Sequence, residues 1–256
     1  METGKKDLRV GVIGVGSMGR HHVRIVYETP GVTLAGLHDP DAERVRRFCD
    51  QYGCEAFENL DKLLANSDAV TVAAPTSLHF EIGAQCLSQR KHVLMEKPLA
   101  HNLEYARKLV EMARKVGVIL MVGHVERYNP AIQELMKLVH GEEDEIVSID
   151  ARRLMPFDGS RCLDVDVLSD LLIHDIDLAL EIADSQVTRV SAGGRPVFSD
   201  RIDTAHIRIE FANRAFAVFW TGKCLPKKVR TITVATRRRC YEADTLLNCL
   251  TIHTAD

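Results

Sequence analysis

The chain has 256 residues, 46% of them apolar, and a formal net charge of −3 with acidic and basic residues interspersed. That is enough apolar material for one large domain or two modest ones, and the mixed charge offers no basic stripe for a phosphate backbone, which argues against nucleic acid as a partner. No apolar run reaches bilayer-spanning length, and the opening METGKKDLRV passes from charge into a strand pattern without a signal peptide's apolar stretch, so a cytoplasmic protein with no membrane partner is expected. The 7 cysteines are odd in number and form no C-x-x-C, which reads as free reduced thiols, and the 11 histidines lack zinc-ligand spacing, so no metal is expected.

In chain order, the first half alternates short apolar runs with helix-period segments. Strands are expected at 8–14 (LRVGVIG), 32–39 (VTLAGLHD), 68–75 (DAVTVAAP), 92–96 (HVLME) and 118–123 (VILMVG). Helices are expected over 17–27, 41–51, 59–65, 77–88 and after Asn102, where Leu103, Ala106, Leu109, Val110 and Ala113 keep helical spacing. Strands this apolar on both faces, separated by helices, belong to a parallel sheet covered on two sides: an α/β, doubly wound Rossmann domain over 1–124. Asn129 and Pro130 then read as the cap and first position of a connecting helix. Beyond it, five longer segments (145–154, 185–198, 203–212, 214–222 and 227–236) alternate like antiparallel strands with one wet face, interrupted by a helix over 166–182. This predicts a second, α+β domain over 125–256 built on a largely antiparallel open sheet.

The run GVIGVGSMGRHH places Gly14, Gly16 and Gly19 in G-x-G-x-x-G spacing between a strand and a helix, with Ser17 and Met18 in the turn. Such a turn brings a dinucleotide's pyrophosphate to the backbone amides at the helix start. The next strand ends in Asp39, placed for a ribose 2′-hydroxyl and against a 2′-phosphate, which favours NAD over NADP; as the alternative, Asp39 starts a turn and caps the next helix. Pro75, Thr76 and His79 follow a strand's carboxyl end, where a parallel sheet binds ligands; they read equally as a loop with a cap at Thr76 or Ser77. Glu96 and Lys97 end another strand at the same edge. An ammonium there can hold a substrate hydroxyl near the nicotinamide and steady its oxygen as the proton leaves, with Glu96 keeping the lysine charged and pointed. In the helix DVDVLSDLLIHDIDLALEIAD, Asp170, His174, Asp177 and Glu181 recur at helical steps, making Asp170 and His174 a candidate orienter and base. The bland reading is the wet side of an amphipathic helix.

G-x-G-x-x-G, the acidic end of the second strand, P-T-x-x-H, E-K-P, G-H-x-x-R-Y-N-P and D-x-x-x-H-D-I-D, in this order, resemble the Gfo/Idh/MocA oxidoreductases from Leu8 onward. The resemblance implies that Lys97 is the catalytic lysine, that Asp170 and His174 form the acid/base pair, and that residues 123–130, with Tyr128 and Asn129, wall the substrate. GHVERYNPAI and RRLMPFDGSRCLDVDV look most similar to the branch acting on UDP-N-acetylglucosamine at the sugar's 3-position. In that light Arg127, Arg153 and Arg161 are candidates for sugar and diphosphate contacts, or solvated surface arginines. DVDVLS stands where many relatives have a glycine pair, which sets this site apart from inositol dehydrogenase. Similar proteins usually continue beyond NCLTIHTAD with more sheet and a returning helix, which leaves open a naturally short second domain, a trimmed one and a missing segment. The implied reaction is oxidation of a sugar hydroxyl to a ketosugar with NAD. The rival readings are a free-sugar or polyol dehydrogenase and a non-catalytic dinucleotide sensor of the same fold. The open sheet face implies a homo-oligomer, a dimer or tetramer.

Overall fold

A computed structural model of the chain describes residues 7–141, 144–159 and 166–254. The chain divides into two compact units, the first ending at Gly123 and the second beginning at His124.

In the first unit β1 (Leu8–Ile13), β2 (Val32–His38), β3 (Ala69–Val72), β4 (His92–Met95) and β5 (Leu120–Val122) form a parallel sheet in the order β2-β1-β3-β4-β5. The connections are α1 (Gly19–Glu28), α2 (Ala42–Tyr52), α3 (Leu60–Ala65), α4 (His79–Ser88) and α5 (Leu103–Val116). Side chains of Asp41, Asn59 and Asn102 accept the amides of Arg44, Lys62 and Tyr105 and so start α2, α3 and α5; Gly53 and Gly117, in left-handed conformation, stop α2 and α5. Val12 and Ile13, adjacent and therefore on opposite sheet faces, enter different cores. Val12 packs with Val23 of α1, Leu37 and Val45 of α2, whereas Ile13 packs with Val72, Leu87 of α4, Met95 and Leu109 of α5. Chain order reverses around β1, because β2 lies on one side of it and β3 on the other, which makes the loops after β1 and β3 the sheet's switch point.

The second unit contains α6 (Pro130–Gly141), β6 (Ile146–Leu154), a π-helical turn (Leu168–Leu172) running into α7 (Ile173–Ala183), and then β7 (Val187–Arg195), β8 (Thr204–Phe211), β9 (Phe216–Gly222), β10 (Val229–Thr236), β11 (Arg239–Asp244) and β12 (Cys249–Thr254). Its sheet runs β12-β11-β10-β6-β9-β8-β7 and is antiparallel except for the β6–β9 pair. Ile132 and Leu135 of α6 and Leu178 and Ile182 of α7 cover one face, against Ile149, Ile207, Phe219 and Tyr241. The opposite face carries a His206–Trp220 stack and Arg208 over the Phe216 ring. Strands β11 and β12 were not expected from sequence. Only Tyr241 and Ala243 of β11 are buried and no residue of β12 is, so each alternation, YEAD and LTIH, is too short to stand out. No helix among the described residues is long and apolar enough to cross a membrane.

Candidate active site

The glycine turn lies at the switch point of the first unit. Gly14 has φ +84°, and a Cβ on it would come within 2.7 Å of the Ala73 carbonyl oxygen, so only glycine lets the turn after β1 pass the loop after β3. Gly19 lies against the Gly14 carbonyl, which packs the start of α1 onto the turn. A Cβ on Gly16, by contrast, would meet nothing within 4 Å; its missing side chain leaves open space. That space belongs to a cavity of about 610 Å³ lined by Gly14, Gly16, Ser17, Met18, Asp39 and Pro75 among others. Helix α1 begins without a side-chain cap, so its terminal amides are not claimed by a neighbouring hydroxyl or carboxylate.

Asp39 is held at the cavity by two backbone amides, Val15 N–H donating to Oδ2 at 2.8 Å and Asp41 N–H to Oδ1 at 2.9 Å. The alternative role as helix cap falls to Asp41, which accepts the Arg44 amide at 3.0 Å. Each Asp39 oxygen keeps a second lone pair for a ribose hydroxyl. Open space at Gly16, an uncapped helix end and a fixed carboxylate in one cavity are the features a dinucleotide needs, and the residues fit NAD.

Two expectations for the cofactor edge are altered. His79 does not face the cavity: it is 1% exposed, with its ring nitrogens 2.8 Å from the Pro98 carbonyl oxygen and 2.9 Å from that of Ala74. It ties the loop after β3 to the loop after β4, since burial in an apolar wall leaves an imidazole only such partners. Thr76 lies in a 3₁₀ turn (Thr76–Leu78), and neither it nor Ser77 caps α4, which Leu78 precedes without a side-chain bond. Glu96 is also buried, at 7% exposure. Its Oε1 lies 2.8 Å from His22 Nε2, and its Oε2 accepts the backbone N–H of Lys97 at 3.2 Å. Burial pushes the Glu96 carboxyl up, but the His22 hydrogen bond and charge, with the Lys97 amide and ammonium, outweigh it and hold the group below its ordinary value. Lys97 itself is half-buried, one residue past Glu96, whose amide bonds the Val72 carbonyl at the end of β3.

In the second unit, Asp170 stands on the π-helical turn and His174 at the start of α7, both half-buried. The Ile173 amide closes that wider turn on the Leu168 carbonyl, a local widening that recurs at functional sites. The rest of the polar stripe is neutralised internally. Arg127 donates to both oxygens of Asp177 at 2.7 Å and reaches Glu181 at 2.8 Å. This corrects the expectation of a diphosphate contact, because the fork is already matched to a carboxylate. Arg153 is corrected more firmly: it is 3% exposed, bonded to both oxygens of Asp175 at 3.0 Å and to Glu126 at 2.9 Å, a buried ion-pair network that no solvent-borne phosphate reaches. Burial raises the Asp175 carboxyl from its ordinary value against the pull of Arg153. Asn129 is likewise engaged at home: its Oδ1 accepts the Ala131 amide, and its side-chain amide donates to the Thr245 carbonyl and to Asn248. Tyr128 is exposed, and Arg161 lies outside the described residues.

Sequence reasoning assigned no role to His22, Asp175 or Glu126. For His22 a signal existed: Gly19, His22, Val23 and Val26 share one face of α1, so the histidine points toward the sheet with apolar neighbours. Asp175 and Glu126 carried none, since their partner comes from a strand 22 or 27 residues away.

Residues 8–124 match the family described as "Oxidoreductase family, NAD-binding Rossmann fold", and residues 136–240 match the "GFO/IDH/MocA C-terminal domain". The chain is 35% identical over 246 residues to UDP-N-acetylglucosamine 3-dehydrogenase of Acidithiobacillus ferrooxidans, covering 96% of this chain and 77% of that enzyme. A solved structure of that enzyme, GnnA, superposes with a TM-score of 0.91 at 34% identity, covering 97% of this chain and 80% of the other. GenD2 from gentamicin A biosynthesis, solved in complex with NAD, gives a TM-score of 0.86 at 26% identity over 93% of this chain and 72% of its own. Inositol 2-dehydrogenase of Corynebacterium glutamicum is 31% identical over 72% of this chain and 57% of its own length. The chain belongs to the Gfo/Idh/MocA oxidoreductase family, with an NAD-binding Rossmann unit first, and is an NAD-dependent dehydrogenase.

Proposed function

We propose that this dehydrogenase oxidises a hydroxyl of a nucleotide sugar, with UDP-N-acetylglucosamine the leading substrate and a ketosugar the product. The observation that carries the reading lies in the first unit: Lys97 follows the carboxyl end of β4, which pairs with β3, on the sheet edge where the glycine turn and Asp39 line the dinucleotide cavity. When bound, NAD supplies a nicotinamide that takes hydride from the carbon bearing the hydroxyl. The protein's residues handle the proton and the charge. Lys97 steadies the oxygen as it becomes an alkoxide. His174 accepts the proton, and Asp170 orients the imidazole. The substrate class is supported by likeness to the Acidithiobacillus enzyme at 35% identity. A free polyol is the second reading, supported by the 31% identity to an inositol 2-dehydrogenase.

The test is a panel in which protein and NAD are mixed with UDP-N-acetylglucosamine, inositol and free hexoses while reduced nicotinamide absorbance is followed. Turnover of inositol alone would replace the first reading with the second. Lys97→Met and His174→Ala should each lower turnover by about 10²- to 10⁴-fold while NADH affinity stays within about threefold. Unchanged turnover in either variant removes that residue from the mechanism. We also place the protein in the cytoplasm and expect a homo-oligomer, a dimer or tetramer. Light scattering on the eluting protein checks this, and a monomer alone would overturn the oligomer.

A further inference from the structure

We infer that His22 is a positioning residue for Lys97, acting through the carboxylate of Glu96. The inference rests on the reading that Lys97 acts on the substrate oxygen. Three elements of the first unit build the device. From β3, the Thr71 hydroxyl lies 2.6 Å from His22 Nδ1. From α1, His22 Nε2 lies 2.8 Å from Glu96 Oε1. From the end of β4, the other Glu96 oxygen accepts the Lys97 backbone N–H at 3.2 Å. Beside them, past the end of β5, stands Gly123, where a Cβ would lie 3.4 Å from the Glu96 carboxyl in ordinary contact, so this side brings no polar group to the carboxylate.

The chemistry sets direction along this chain. A carboxylate only accepts, so Nε2 of His22 must carry the proton of the bond to Glu96. The Thr71 hydroxyl donates to Nδ1 when the ring is neutral and accepts from it when the ring is charged, so the imidazole is held in either form. Glu96 thus has one oxygen locked to α1 and the other to the lysine's own backbone, and the peptide from which the Lys97 side chain departs cannot turn without breaking a bond to a buried carboxylate. The titratable groups acting on Glu96 are His22 from α1 and Lys97 from its own loop; β3 contributes the Thr71 hydroxyl and the end of β5 only Gly123. His22 therefore does two things for the lysine: it fixes the carboxylate's orientation and, by opposing the effect of burial, keeps it ionised as a counter-charge.

The signs follow. In His22→Ala, burial acts on Glu96 without its main opponent, so the carboxyl takes up its proton at higher pH and Lys97 loses its counter-charge in mild acid. In His22→Gln, the amide can donate to Glu96 and accept from Thr71, restoring orientation and most of the ionisation. The experiment compares wild type, His22→Ala, His22→Gln and Lys97→Met with NAD present. The Glu96 carboxyl is titrated by ¹³C NMR, and the pH profile of kcat is measured with UDP-N-acetylglucosamine. The expected result is a Glu96 midpoint and an acid limb of kcat that both rise by about one pH unit in His22→Ala and return at least halfway in His22→Gln. A merely structural histidine would lower the melting temperature in His22→Ala and leave both midpoints in place, which overturns the inference. Should Lys97→Met retain turnover, the role of Lys97 falls instead, whatever His22 does. If UDP-N-acetylglucosamine is not turned over, the carboxyl titration alone decides the link from His22 to Glu96.

Discussion

The two units present their polar groups in opposite ways. Along the ligand edge of the first, the recognition surface is largely backbone: a turn kept narrow by Gly14, space left by Gly16, and the uncapped start of α1, with Asp39 held by two amides. Along α7 of the second, the conspicuous charges are side chains, and most answer one another, Arg127 to Asp177 and Glu181, Arg153 to Asp175 and Glu126. In the glycine turn the Val15 amide is spent on Asp39, but no side chain caps the start of α1, so the cavity keeps a helix end for a ligand. A charged stripe on a helix, in contrast, attracts the nearest arginine, so its count of charges overstates what is left for a ligand.

The largest effect that would sharpen this contrast is on stability. Arg153→Met should destabilise the protein by about 3–5 kcal/mol, because Asp175 would be left as a buried charge without its partner and Glu126 would keep only the longer contact to Arg230. Adding Asp175→Leu and Glu126→Gln should recover much of the loss. Urea denaturation of the three proteins checks both statements, and a small loss in Arg153→Met would mean the network is less enclosed than it looks.

Next in size is a binding effect with little change in stability. Gly16→Val adds a side chain whose first atom meets nothing in the protein, so the melting temperature should move by no more than a degree or two. NADH affinity should nevertheless fall at least about tenfold, a loss of about 1.4 kcal/mol or more. Fluorescence titration with NADH measures it, and undiminished affinity would show that the open space is not where the dinucleotide lies.

The smallest effect concerns Asp203, a residue 2% exposed that accepts the amides of Val197, Phe198 and Ser199 at 2.7–2.9 Å. Burial alone would raise its carboxyl, but the three amides and the Ser199 hydroxyl outweigh it and hold the group down to about 2, from an ordinary 3.8. Because the folded value lies below the unfolded one, the stabilisation is complete above the ordinary value and lost as pH falls through the depressed one. Asp203→Asn should lower stability by about 1 kcal/mol at neutral pH and flatten the decline of wild-type stability between about pH 4 and pH 2, both read from urea midpoints measured across that range.

Much of the fold was legible because burial on both faces leaves a short, largely apolar run, as in VGVI of β1 and AVTV of β3, and because Asp41, Asn59 and Asn102 announce helix starts with their own side chains. Strands β11 and β12 were not legible, because their alternations, YEAD and LTIH, run over only four residues with at most two of them buried. The same distinction runs through the site. Gly14, Gly16, Gly19 and Asp39 could be assigned from spacing, because the turn needs them in a local arrangement. Misjudged residues, His79 and Arg153 above all, are those whose partners come from elsewhere in the chain: the carbonyls of Ala74 and Pro98 for one, Asp175 and Glu126 for the other.

By itself, then, the sequence determined the order of strands and helices, the glycine turn and the carboxylate that follows it, since periodicity, capping and backbone conformation act over a few residues. Only the tertiary structure decided which charges are already satisfied, and it brought His22 of α1 to Glu96, just past β4 and 74 residues away. Hydrogen bonds and ion pairs form between groups that folding brings together, and their short range ties them to position in space, which linear spacing does not record.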